Sequence, residues 1–77
     1  MNIGDEFLID VKGYIMCAKV DNGKYRMKIS EHCGSLTGRL YKPKGRKLIV
    51  EHYLDQLMIM NNNNMNNNGT VIIKKLE

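Results

Sequence analysis

The chain has 77 residues, with 12 Lys and Arg against 8 Asp and Glu, a net charge of +4 and a pI of about 9.2. That length supports a single domain with a thin core, and a hydrophobic fraction of 43% excludes a fully disordered chain. No run reaches the roughly 20 apolar residues of a membrane span, and Met1-Asn2-Ile3-Gly4-Asp5 lacks the basic start and apolar segment of a secretion signal, so a cytoplasmic protein without a membrane partner is expected.

Phe7, Ile9, Val11, Ile15 and Cys17 fall on odd positions, with Glu6, Asp10 and Lys12 between them. A period of two predicts a strand, and Gly13 within it predicts a bulge or sharp bend. Asp21-Asn22-Gly23 predicts a tight hairpin, because Asn-Gly tolerates the positive φ that such turns require. The alternation then becomes nearly perfect. Tyr25, Met27 and Ile29 point to one face, while Lys24, Arg26, Lys28 and Ser30 point to the other.

Glu31 to Ser35 reads as a looser connection. Leu36, Gly38 and Leu40 alternate with Thr37, Arg39 and Tyr41 and predict a third strand. From Tyr41 to Lys47 the chain is a basic loop, which Pro43 and Gly45 keep from being helix or central strand. Residues 48 to 60 read two ways. Val50, Tyr53, Leu54, Leu57 and Met58 have helical spacing; alternatively Leu48-Ile49-Val50 ends one strand, residues 51 to 55 turn, and Gln56 to Met60 form another. Seven of the eight residues from Asn61 to Asn68 are Asn, which predicts a loop that buries no surface. Thr70 to Leu76 is β-branched and strand-like. Five strand candidates and a bent first strand predict an all-β domain over residues 1–77, a five-stranded OB-fold barrel with the Asn-rich loop 61–68 between its last two strands.

Charge is distributed unevenly. Between residues 24 and 47 eight cations are opposed only by Glu31. Barrels of this type bind nucleic acid along their second and third strands, so the candidate RNA-binding residues are Lys24, Arg26, Lys28, Arg39, Tyr41 and Lys42, continued by Lys44, Arg46 and Lys47. The cations would displace counterions from phosphates, and Tyr41 is the aromatic best placed to stack a base. Cys17 reads as a small core residue. Cys17, His32, Cys33 and His52 match no common zinc spacing, and no nucleophile with a matched base or phosphate-cradling loop is present. Neither an enzyme nor a cofactor or metal is expected. Two other readings use the same residues: a small barrel that docks on a protein and uses its charge for steering, and a generic single-strand binder, for which one Phe and four Tyr supply few stacking rings.

Several segments together resemble the small translation initiation factors, bacterial factor one and its archaeal and eukaryotic counterpart, factor one-A. Ile9 to Ala18 is similar to that family's opening strand, Val20 to Ile29 to its first hairpin and second strand, and Leu36-Thr37-Gly38-Arg39-Leu40-Tyr41-Lys42 to its basic signature. Asp55-Gln56-Leu57-Met58-Ile59-Met60 resembles the Asp-led fourth strand, and Gly69 to Lys75 the last. Tyr41 and Thr70 stand where the family usually has Arg, and the segment after Ile29 is shorter than the family's second hairpin. The resemblance implies an S1-like OB fold, strands rather than a helix across 48 to 60, and a monomer that binds ribosomal RNA on the small subunit beside other initiation factors. Cutting residues 61–68 to a short turn is expected to leave the thermal midpoint within a degree or two, as surface loop lengths cost little; differential scanning calorimetry checks this.

Overall fold

A computed structural model describes residues 2–12, 20–57, 59–61 and 69–76. They form six strands: β1 (Glu6–Lys12), β2 (Gly23–His32), β3 (Ser35–Tyr41), β4 (Leu48–Tyr53), β5 (Ile59–Asn61) and β6 (Gly69–Leu76). One sheet contains them all, in the order β4-β3-β2-β1-β6-β5. Every neighbouring pair is antiparallel except β5 and β6, which run parallel. The all-β expectation therefore holds, and no helix occurs among the described residues. Closure of the sheet into a barrel is not among the described pairings, where β4 and β5 are the edges.

Strand β2 follows its alternation closely. Tyr25, Met27 and Ile29 are buried, and Lys24, Arg26, Lys28 and Ser30 lie on the opposite face. The core consists of Phe7, Ile9 and Val11 from β1, those three residues of β2, Leu40 of β3 and Leu57, with Val20, Val50, Leu54 and Ile72 packed against them. No helix or second sheet covers this face among the described residues. Register shifts interrupt the pairing between Leu8 and Ile9 and between Leu40 and Tyr41, irregularities of the kind that bend a strand.

Turns depart from the sequence expectation in two places. Val11 pairs with Gly23, so residues 13–22 separate β1 from β2 and no two-residue hairpin forms at Asn22-Gly23. The tight hairpin instead lies at Cys33-Gly34, in the segment expected to be loose. Pairing runs through to His32 and Ser35, and both central residues have positive φ, 53° and 82°, as the primed hairpin turns require. Cys33 carries no turn signature of its own, so the cross-strand register supplies what local composition does not. The expected bend at Gly13, the core positions of Ile15 and Cys17, and the Asn tract from 62 to 68 lie outside the described residues.

Of the described residues in segment 48 to 60, Leu48–Tyr53 and Ile59–Met60 are extended and none is helical, but the turn comes later than 51 to 55. Glu51, His52 and Tyr53 continue β4 because they find partners in Arg39, Gly38 and Thr37. The chain reverses at Leu54–Leu57, where the amides of Gln56 and Leu57 each donate to the Tyr53 carbonyl at 3.1 Å. Leu57 is then completely buried. The helical spacing of its apolar residues thus arises from a strand followed by a tight turn. A second departure is in β3, where Leu36 is exposed and Thr37 is buried, capped by the Glu51 carboxylate.

Gly38 lies where β3 crosses closest to the core. A Cβ there would stand 2.7 Å from the Met27 sulfur and 2.9 Å from Leu57 Cδ1, and both neighbours are fully buried. Gly38→Ala is expected to cost about 1–3 kcal/mol by overpacking, and Met27→Ala about 2–5 kcal/mol by cavity formation. In urea unfolding the double variant should lose less than the sum, since the truncated Met27 vacates the space the new methyl needs.

Candidate nucleic-acid interface

The register between β2 and β3 decides which candidate residues meet. Arg26 pairs with Tyr41, Lys28 with Arg39, Ser30 with Thr37 and His32 with Ser35. Directly opposite residues point to the same side of a sheet, so these side chains share the outer face, and the strand period holds them there. On the flanks, β1 sets Glu6 beside Lys28 and Asp10 beside Lys24, while β4 sets Glu51 beside Arg39. Across the four strands the outer face thus reads Glu6-Lys28-Arg39-Glu51, two adjacent cations flanked by acids, which the tally of charges along the chain could not reveal.

Arg26 is the most constrained of the candidates. Its Nη1 donates to Glu6 Oε1 at 2.8 Å, its Nη2 donates to the Gly45 carbonyl at 2.7 Å, and its guanidinium lies 4.7 Å from the Tyr41 ring centre. A cation fixed on three sides is a clamp between β1, β2 and the basic loop. It also occupies one face of Tyr41, which leaves the other for any stacking partner. Arg39 Nε stands 3.8 Å from Glu51 Oε1, an ion-pair distance too long for a hydrogen bond.

Lys42 belongs to the loop end of this face. Its ammonium sits 5.4 Å from the ring centre of Tyr25, whose hydroxyl donates to the Asp21 carbonyl at 2.7 Å. Burial, and then the nearby Asp21 charge, push the Tyr25 hydroxyl above its ordinary pKa, so it stays a neutral donor. Lys24, Lys28, Lys44, Arg46 and Lys47 are exposed and enter no ion pair among the described residues. Thr70 is completely buried opposite Val11, on the inner face, and so takes no part in this surface.

At the opposite end of β3 and β4 the outer face sinks into a recess of about 470 Å³, open to solvent and lined by His32, Thr37, Glu51, His52, Tyr53 and Gln56. Sequence reasoning missed it because Glu51 and Tyr53 were assigned to a turn. Only their pairing with Arg39 and Thr37 brings them beside His32. Among the described residues no three His, Cys, Asp or Glu side chains gather as a metal cluster, and no helix is long and apolar enough to cross a membrane.

Comparison with known proteins finds no matching family, no matching curated protein and no matching solved structure. The arrangement of the outer face is thus read from its own geometry. Arg26→Ala is expected to lower stability by about 1.5–3 kcal/mol, the range for hydrogen bonds to charged groups. Lys28→Ala should stay within about 0.5 kcal/mol, as an exposed substitution away from such contacts. Paired urea titrations of the two variants check the contrast.

Proposed function

We propose that this protein binds single-stranded RNA across the outer face of β2 and β3 and the adjoining loop from Lys42 to Lys47. One observation carries the reading: Lys28 directly faces Arg39 across the two strands. Like charges placed directly opposite destabilise a sheet, so such a pair suits a surface that meets anions better than one that serves only the fold. Lys24 lies two steps along the same strand, at about 7 Å per step, and Lys42, Lys44, Arg46 and Lys47 extend the positive surface beyond Tyr41. None of these cations is in an ion pair among the described residues, and such charges release counterions when phosphates bind.

The initiation-factor resemblance gives this activity a setting: a cytoplasmic, non-enzymatic factor that docks on ribosomal RNA of the small subunit. Its scaffold would be an OB-type barrel. In support, β1 to β4 run as a meander and the last strand, β6, returns to lie beside the first. A second reading has its own observation. Leu48 and Ile49 are 36% and 39% exposed on the edge strand β4, where another chain could add a strand, and a protein-docking module would use them.

The tests separate the two. The protein is expected to co-sediment with small ribosomal subunits and to be released progressively as salt rises; free sedimentation at low salt would overturn the ribosomal setting. Lys44→Ala, Arg46→Ala and Lys47→Ala combined should make the slope of log affinity against log salt shallower by about 2, given roughly 0.7 per phosphate contact on a single strand. Fluorescence anisotropy with a labelled RNA measures that slope. An unchanged slope would exclude the loop from the interface. Co-purification with a protein that survives nuclease treatment, alongside no RNA affinity, would favour the docking module.

A further inference from the structure

We infer that the recess between the end of β2 and the β4 turn is a base-specific subsite that accepts an unstacked guanine. This rests on the RNA-binding reading above and assigns it a substrate preference.

Glu51 is the centre of the site. The Thr37 hydroxyl donates to Glu51 Oε2 at 2.7 Å, and Arg39 Nε lies 3.8 Å from Oε1. The carboxylate is thereby held in one orientation by two residues of the neighbouring strand. An ionised carboxylate has about four lone-pair positions on its two oxygens. Thr37 takes one, and the long Arg39 contact takes none as a hydrogen bond, so each oxygen keeps acceptor capacity. Glu51 is exposed, and its carboxylate faces a recess open to solvent.

A fixed pair of acceptors selects an edge with two adjacent donors. Among the four RNA bases only guanine offers them, through N1–H and the exocyclic amine. Adenine and cytosine each present one donor beside an acceptor, and uracil one donor between two acceptors. The walls suit a planar ring. His32 and Tyr53 meet with ring centres 6.3 Å apart and planes tilted by 50°, which forms an aromatic corner against which one face of a base can lie. Gln56 completes the wall with a side chain that both donates and accepts. A volume of about 470 Å³ falls within the usual range of about 300–1,000 Å³ for small-ligand sites.

Its position on the strand path is consistent. His32, Glu51 and Tyr53 share the outer face with Lys28 and Arg39 through the register of β2, β3 and β4. From Leu48 to Tyr53 the strand spans about 17 Å at roughly 3.3 Å per residue. Two or three nucleotides can therefore run from the basic loop, over Lys28 and Arg39, to the recess.

The test uses the full chain and two labelled octamers, one of uridines and one with a single central guanosine. Wild-type protein should bind the guanosine octamer about tenfold more tightly, within the range of one bidentate base contact. Glu51→Gln should reduce that ratio to near one, while affinity for the uridine octamer holds or rises slightly because a negative charge is removed. If Glu51→Gln fails to fold by circular dichroism, Gln56→Ala carries the comparison, with a several-fold loss expected for the guanosine octamer alone. Guanosine 5′-monophosphate, titrated into isotope-labelled protein, should shift the amide resonances of His32, Tyr53 and Gln56 more than uridine 5′-monophosphate does. Equal affinity for both octamers would overturn the subsite and leave RNA binding standing. Failure to bind either octamer, with no response to the mononucleotides, would overturn both.

Discussion

In β2, each side chain leaves the backbone on the side opposite to its neighbour's, and ten residues obey this without a break in pairing. That constraint fills the core with Tyr25, Met27 and Ile29, so Arg26 and Lys28 have only the outer face available. Neighbouring strands inherit the arrangement. The core positions of β1 pair with those of β2, Phe7 with Met27 and Ile9 with Tyr25, and Leu40 pairs with Met27 from the other side. A one-residue slip of β2 would turn its three core residues to solvent and bury its cations. The close fit of Gly38 against Met27 and Leu57 opposes such a slip, because no larger residue fits there without movement.

The electrostatics of the outer face follow from that register and divide it into regions. Near β1, Glu6 engages Arg26 and ties it to the loop carbonyl of Gly45. Near β4, Glu51 accepts from Thr37 and stands close to Arg39. These contacts are partly exposed and contribute modestly as ion pairs. Their larger effect is positional, since they orient two guanidinium groups and one carboxylate. Lys44, Arg46 and Lys47 of the loop are exposed and enter no ion pair among the described residues. Fixed charges at one end and exposed, unpaired ones at the other are what the proposed combination of base selection and unspecific backbone attraction would use.

The resulting surface joins two features of different character. The loop end is cationic, with Lys42, Lys44, Arg46 and Lys47 all exposed. The recess end is concave, with an oriented carboxylate and an aromatic corner, the features on which the proposed preference for one hydrogen-bonding edge rests. Thr37 links the two through its place in β3, where Arg39 is two residues away and Tyr41 four. Its burial, which breaks the simple alternation of that strand, reflects its use as a support for Glu51.

Residue order alone marked the strands β2 and β3, the buried set Tyr25, Met27 and Ile29, and the cationic outer side of β2, because a strand's two faces are written into alternate positions of one continuous segment. Composition also marked the basic loop through Pro43, Gly45 and their lysine neighbours. Tertiary structure decided the rest: the hairpin at Cys33-Gly34, the extension of β4 to Tyr53, the capture of Arg26 by Glu6, and the meeting of His32, Thr37, Glu51 and Tyr53. Each of these depends on which residues meet across strands, and the members of such pairs lie from 3 to 21 residues apart in the chain. Local periodicity holds no information about those partners; the register that joins them is set only when the apolar faces close on a common core.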